Sequence, residues 1–140
     1  MPTPVTICDD SSFARKQMAK ALPRDWDVDV SFASNGAQAL VAIEQGKADV
    51  LFLDLNMPVM DGYETLATIR ARDLPTMTIV VSGDIQPEAQ ARVQQLGAMA
   101  FLKKPVNENE IAAVLRQYGI ETRAAAAPKP VKVEVDIRDG

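Results

Sequence analysis

Five short apolar runs alternate along this chain with five segments of helical periodicity, and that alternation leaves few folds open. VTIC (5–8), VLFL (50–53), TIVV (78–81) and AMAFL (98–102) are continuous, whereas VDVSFA (28–33) alternates apolar and polar residues. Continuous runs of this length suit strands covered on both faces, and the alternating one suits a half-exposed strand at a sheet edge. The intervening segments read as helices. Ser11 and Ser12 can cap a first helix, with Phe13, Met18, Ala21 and Leu22 on its apolar side and a stop near Pro23. Asn35-Gly36 turns into a second, carrying Ala37, Leu40, Val41 and Ile43 and ended by Gly46. Tyr63, Leu66, Ala67 and Ile69 mark a third after Gly62, and Pro87 suits the first turn of a fourth that runs through Val93 and Leu96 to Gly97. Asn107 can cap a fifth with Ile111, Val114, Leu115 and Tyr118, before Gly119. Strands alternating with helices predict an α/β fold, a doubly wound five-stranded parallel sheet with helices on both faces.

The bulk numbers agree. A chain of 140 residues that is 47% hydrophobic and 24% charged is sized for one globular domain with its own core. A formal charge of -4 argues against non-specific nucleic-acid binding by this domain. No run approaches the ~18 apolar residues of a membrane span, and no charged-then-apolar leader opens the chain, so a cytoplasmic protein is expected. Cys8 is the lone cysteine and histidine is absent, which removes disulfides, cysteine-based zinc clusters and histidine general bases. Oxygen ligands remain, and they suit Mg²⁺ or Ca²⁺.

Four of the five strands end in polar residues: Asp9-Asp10, Asp54, Ser82 and Lys104. Parallel strands bring such ends to one rim, where ligands of open α/β sheets collect. Each residue has an ordinary alternative: Asp10 as a helix cap, Asp9 and Asp54 as loop carboxylates, Ser82 as an end-of-strand serine, Lys104 as a solvated lysine. Together they argue otherwise, because three carboxylates on one rim repel unless a cation joins them. Mg²⁺, or Mn²⁺, fits that donor set. Asp54, the most central carboxylate, could then act as a nucleophile toward phosphorus, with Lys104 neutralising charge and Ser82 donating its hydroxyl.

At this point the residues resemble a known family. Asp9-Asp10, DLNMPVMDG (54–62), Ser82-Gly83 and Lys104-Pro105 closely resemble the receiver domain of two-component response regulators, CheY-like proteins included. The resemblance implies a flavodoxin-like sheet of order 2-1-3-4-5 over residues 1–119. It implies Asp54 as phosphoryl acceptor. Asp10, Asp54 and the Asn56 backbone carbonyl would be direct metal ligands, and Asp9 a ligand through water. Lys104 would pair with the phosphoryl group, while Ser82 and Phe101 would switch, so that the loop after strand four and the helix 4–strand 5 face report the change. The lysine would be aimed by a cis Lys104-Pro105 bond, and Asn56 and Asp84 would tune phosphoryl loss. Implied partners are a histidine kinase or its phosphotransfer domain and an output domain or protein, with a phosphorylation-dependent dimer as one arrangement. No enzyme activity is expected beyond self-phosphorylation and autodephosphorylation.

Residues 120–130 read as an Ala/Pro-rich linker, and VKVEVDI within 131–140 as a tail or the truncated start of a second domain. Four basic and four acidic side chains in 121–140 do not make a DNA-binding stretch. VEVDIRDG looks like the approach to a CheC-type chemotaxis module, so a regulator with such an output is expected. A stand-alone CheY-like switch is the alternative. A haloacid-dehalogenase-like phosphatase is remote, since that family places its aspartate nucleophile after the first strand.

Overall fold

Each apolar run is a strand in the computed structural model, which describes residues 2–83 and 86–120. The order is β1 (Thr3–Cys8), α1 (Ser12–Ala21), β2 (Val28–Ala33), α2 (Gly36–Glu44), β3 (Val50–Leu53), α3 (Gly62–Ala71), β4 (Met77–Ser82), α4 (Pro87–Gln95), β5 (Ala100–Lys103) and α5 (Glu108–Gln117). All neighbouring strands are parallel, in the order β2-β1-β3-β4-β5. Because the side chains of a strand alternate faces, the sheet feeds two cores. Val5, Ile7, Val50, Phe52, Ile79 and Val81 meet Met18 of α1 and Ile111 and Leu115 of α5. Cys8, Leu51, Leu53 and Val80 meet Leu40 and Ile43 of α2, Leu66 and Ile69 of α3 and Val93 of α4. Among the described residues no helix is long and apolar enough to cross a membrane.

The expected helix starts hold. Ser11, Asn35, Asp61 and Asn107 cap α1, α2, α3 and α5 with their side chains, the last two within reciprocal capping boxes. Pro87 opens α4, and Gly46, Gly97 and Gly119 take positive φ beyond helix ends.

Several expected faces do not hold. Phe13 is 69% exposed and Val41 50%; Ala37 and Ala67 are also exposed, as is Tyr118. In α1 the residues packed in the core under the helix are Met18, Ala19 and Ala21, followed by Leu22, and Phe13, five residues before Met18, falls off that face. In α2 the buried set is Gly36, Ala39, Leu40, Ala42 and Ile43, and Val41 is left to solvent. The fifth strand starts at Ala100, not 98, and is an edge rather than a doubly covered central strand, with Lys103 exposed. Asp84, and the linker and tail beyond Ile120, lie outside the described residues.

Candidate functional site

The parallel sheet carries the ends of β1, β3, β4 and β5 to one rim. Cys8 and Leu53 are register partners, and Asp54 N donates to Cys8 O at 3.0 Å, which sets Asp54 level with Asp9. Across β4 and β5, Lys104 N donates to Ser82 O at 2.9 Å, fixing the lysine beside that serine. The Lys104-Pro105 bond is cis. The Lys104 ammonium then lies 2.7 Å from Asp9 Oδ2 and 3.1 Å from Asp54 Oδ1. One oxygen each from Asp9, Asp10 and Asp54 falls within 4.8 Å of the others. Asp9 and Asp54 are buried and Asp10 exposed, so the cluster opens outward on the Asp10 side.

Two features of the chain hold these groups in place. Asp9 Oδ1 accepts from Ser11 N at 2.9 Å, and the Arg15 guanidinium donates to Asp9 O at 2.6 Å. Gly62, which follows the capping aspartate of α3, lets the backbone of residues 54 and 55 pass beside it: a Cβ there would lie 2.5 Å from Asp54 O and 2.8 Å from Leu55 Cα. A cavity of about 610 Å³ adjoins the rim between α1 and the chain after β5, lined by Asp9, Asp54 and Lys104 and by Met18, Phe52 and Val106.

The electrostatics are those of an anionic pocket short of positive charge. Burial, and then the neighbouring Asp9 charge, hold the Asp54 carboxyl above its ordinary range even though Lys104 pulls it down. For Lys104 burial works against the charged form, but the hydrogen bond to Asp9 and the charge of Asp54 outweigh it, and the ammonium is held above its usual value. Three carboxylates against one ammonium leave a charge of about minus two, and the donors are all oxygen. That donor set fits one Mg²⁺ or Mn²⁺ ion, with Asp9, Asp10 and Asp54 as the residues able to hold it.

The other expected residues are more dispersed. Ser82 is fully buried at the tip of β4. Asn56 is exposed in the loop after β3, and Phe101 is half-buried in the core that also holds Val93 and Leu96. Arg15 was not singled out from the sequence. Its one signal is a basic residue in the first turn of α1, six positions after Asp9, and apolar periodicity says nothing about such a residue.

Comparison with known proteins agrees with this geometry. Residues 5–116 match the family described as response regulator receiver domain. A protein-glutamate methylesterase/protein-glutamine glutaminase of Bacillus licheniformis is 39% identical over 104 residues, which is 72% of this chain but 29% of that protein. The chain thus spans less than a third of that relative's length. The receiver domain of the response regulator NarL from Mycobacterium tuberculosis superposes with a TM-score of 0.76 at 33% identity, covering 84% of this chain and 97% of that one. The chemotaxis protein CheY4 of Vibrio cholerae gives 0.74 at 28% identity, covering 84% and 98%. Family match, sheet order and the arrangement of acids at the strand tips agree: the chain belongs to the response regulator receiver domains, the phosphorylation-signalling domains of two-component systems.

Proposed function

We propose that Asp54 accepts a phosphoryl group from a histidine kinase or its phosphotransfer domain, and that the modified domain controls an output module. The observation that carries this reading is the Lys104 ammonium set between Asp9 and Asp54, with Asp10 completing the acid cluster at its open side. Asp9, Asp10, Asp54 and the Asn56 carbonyl would hold Mg²⁺ or Mn²⁺. The ion supplies positive charge for the non-bridging oxygens of the transferring group.

The residues of the chain do the rest. An Asp54 carboxylate oxygen forms a bond to phosphorus as the bond from phosphorus to the donor's leaving atom breaks, and the leaving group keeps that electron pair. Lys104 turns from the carboxylates toward the new phosphoryl oxygens, where its ammonium offsets the added charge. Ser82 donates its hydroxyl to the same group, and the loop after β4 follows. Phe101, packed against the core that includes Val93 of α4, repacks, so the face formed by α4 and β5 is the surface that an output partner or a second copy reads. The covalent chemistry stays on the domain's own side chain, so turnover of an outside substrate is not part of this reading.

The receiver occupies residues 1–119 in this proposal, with 120–130 as linker to whatever 131–140 leads into. A relative in which the matched segment is under a third of the protein supports a modular arrangement. A CheC-like output is the module proposed.

Incubation with Mg²⁺ and a small acyl-phosphate donor, followed by intact-mass measurement, tests the acceptor. One added phosphoryl group is expected, absent from Asp54→Ala and absent after chelation of the metal. A phosphoryl group that persists on Asp54→Ala would place the acceptor elsewhere.

A further inference from the structure

We propose that Arg15 is a positioning residue for the metal site, holding the Asp9-Asp10 loop in its ligating shape through the main chain. This rests on the reading of Asp9, Asp10 and Asp54 as the ion's ligands. The loop is short: β1 ends at Cys8 and α1 begins at Ser12, so its few residues must turn Asp9 inward and leave Asp10 at the open side. Asp9 is gripped at three atoms. Its Oδ2 takes Lys104, its Oδ1 takes Ser11 N, and its carbonyl oxygen takes the Arg15 guanidinium at 2.6 Å.

These grips differ in what metal binding does to them. The first two use carboxylate oxygens, the atoms a cation and its water shell would claim. The Arg15 contact uses the carbonyl and leaves the carboxylate free. It therefore persists whether or not the ion is present, and it is charge-assisted, which makes it stronger than a neutral hydrogen bond. Arg15 N in turn donates to Ser11 O, so the same residue ties helix start and loop together. Contacts of this outer kind set ligand geometry, and losing one typically weakens metal affinity about 10–100-fold.

Sign separates this role from simple electrostatics. Arg15 is a cation beside an anionic pocket, so its charge alone opposes an incoming Mg²⁺. If charge were its whole effect, removing it would tighten binding. If it positions the loop, removing it weakens binding despite the favourable change in charge.

The test is calorimetric titration of Mg²⁺ into the full chain, comparing wild type with Arg15→Met, Arg15→Lys and Asp10→Asn, and checking each fold by circular dichroism. Arg15→Met keeps the stem and removes the donors, and its dissociation constant is expected to rise about tenfold. Arg15→Lys, with one point charge and a shorter reach, is expected to rise about threefold; it carries the test if the methionine variant does not fold. Unchanged or tighter Mg²⁺ binding by folded Arg15 variants overturns the proposal. If Asp10→Asn also binds Mg²⁺ like wild type, the ligand assignment itself has failed; if Asp10→Asn loses binding, only the role of Arg15 has.

Discussion

Three residues around the acid centre carry strain or charge that single substitutions can expose. Val59, in the loop between β3 and α3, has φ +69° and is 83% exposed. A β-branched residue is disfavoured in that left-handed region by roughly 1–2 kcal/mol, and at that exposure little packing compensates. Asparagine tolerates the conformation, so Val59→Asn is expected to stabilise the domain by about 1 kcal/mol in urea unfolding; a lower midpoint would mean that the valine is held by contacts rather than strained. Gly62 shows the opposite case. A methyl there meets backbone atoms of residues 54 and 55, which cannot swing aside as a side chain can. Gly62→Ala is expected to destabilise by about 1–3 kcal/mol and to slow phosphoryl acceptance in the fraction that stays folded. Cys8 is the third. Burial first, then the Asp9 and Asp54 carboxylates, push its thiol from 9.0 up to about 12. The unfolded thiol therefore loses its proton at lower pH than the folded one, and stability must fall as pH climbs from about 9 to about 12. Cys8→Ala should remove that part of the slope in unfolding measured across the window. Equal slopes in the two proteins would show that the thiol ionises freely in the native state.

At the scale of elements, α4 stands apart. The other four helices have side-chain caps, whereas α4 has no side-chain cap hydrogen bond and buries Ala89 and Val93 alone among its residues. Two arginine contacts with α3 hold it from outside: Arg92 stacks on the Tyr63 ring at 3.9 Å, and Arg70 donates to Gln95 O at 3.0 Å. Amide exchange in α4 is expected to be faster than in α3 or α5. Tyr63→Ala should speed it a further two- to fivefold, matching the ~0.5–1 kcal/mol of an exposed cation–π pair, without touching α5. Equal acceleration in α5 would mean that the ring supports the whole domain instead. The same contrast explains what could be read from the sequence. Caps and apolar runs are local, so strands, helix starts and the polar strand tips were legible before any coordinates. Helix faces were less so, because exposure depends on which neighbour arrives: Phe13 and Val41 look apolar in any window, yet α1 and α2 turn them to solvent. The edge position of β5 was hidden for the same reason, since AMAFL reads as a buried strand until the sheet order leaves one side bare. The acids and Lys104 were found because charge at the end of an apolar run is conspicuous. Arg15 was not, because what it holds is a main-chain oxygen.

For the whole molecule, the fold gathers like charges that the unfolded chain keeps apart. Asp9, Asp10 and Asp54 are 45 residues apart at their extremes and lie within 4.8 Å in the native state, with one lysine to offset them. Without a divalent ion, that gathering costs free energy; with one, it becomes a binding site, and ligand bound to the native state alone adds stability by mass action. At a hundredfold excess over its dissociation constant, Mg²⁺ should add about 2.7 kcal/mol, about ten degrees of melting temperature for a domain of this size. Asp10→Asn should shift both ends of that relation. It removes one repelling charge, so in chelator the variant is expected to melt higher than wild type. It also removes a proposed ligand, so it should gain little from added Mg²⁺. The two melting temperatures are therefore expected to cross as the ion is titrated in, wild type starting below the variant and finishing above it. No other simple role for Asp10 gives a crossing: asparagine caps a helix about as well as aspartate, so a cap would leave the two curves close together throughout, and a solvated surface carboxylate would leave them superimposed at every Mg²⁺ concentration.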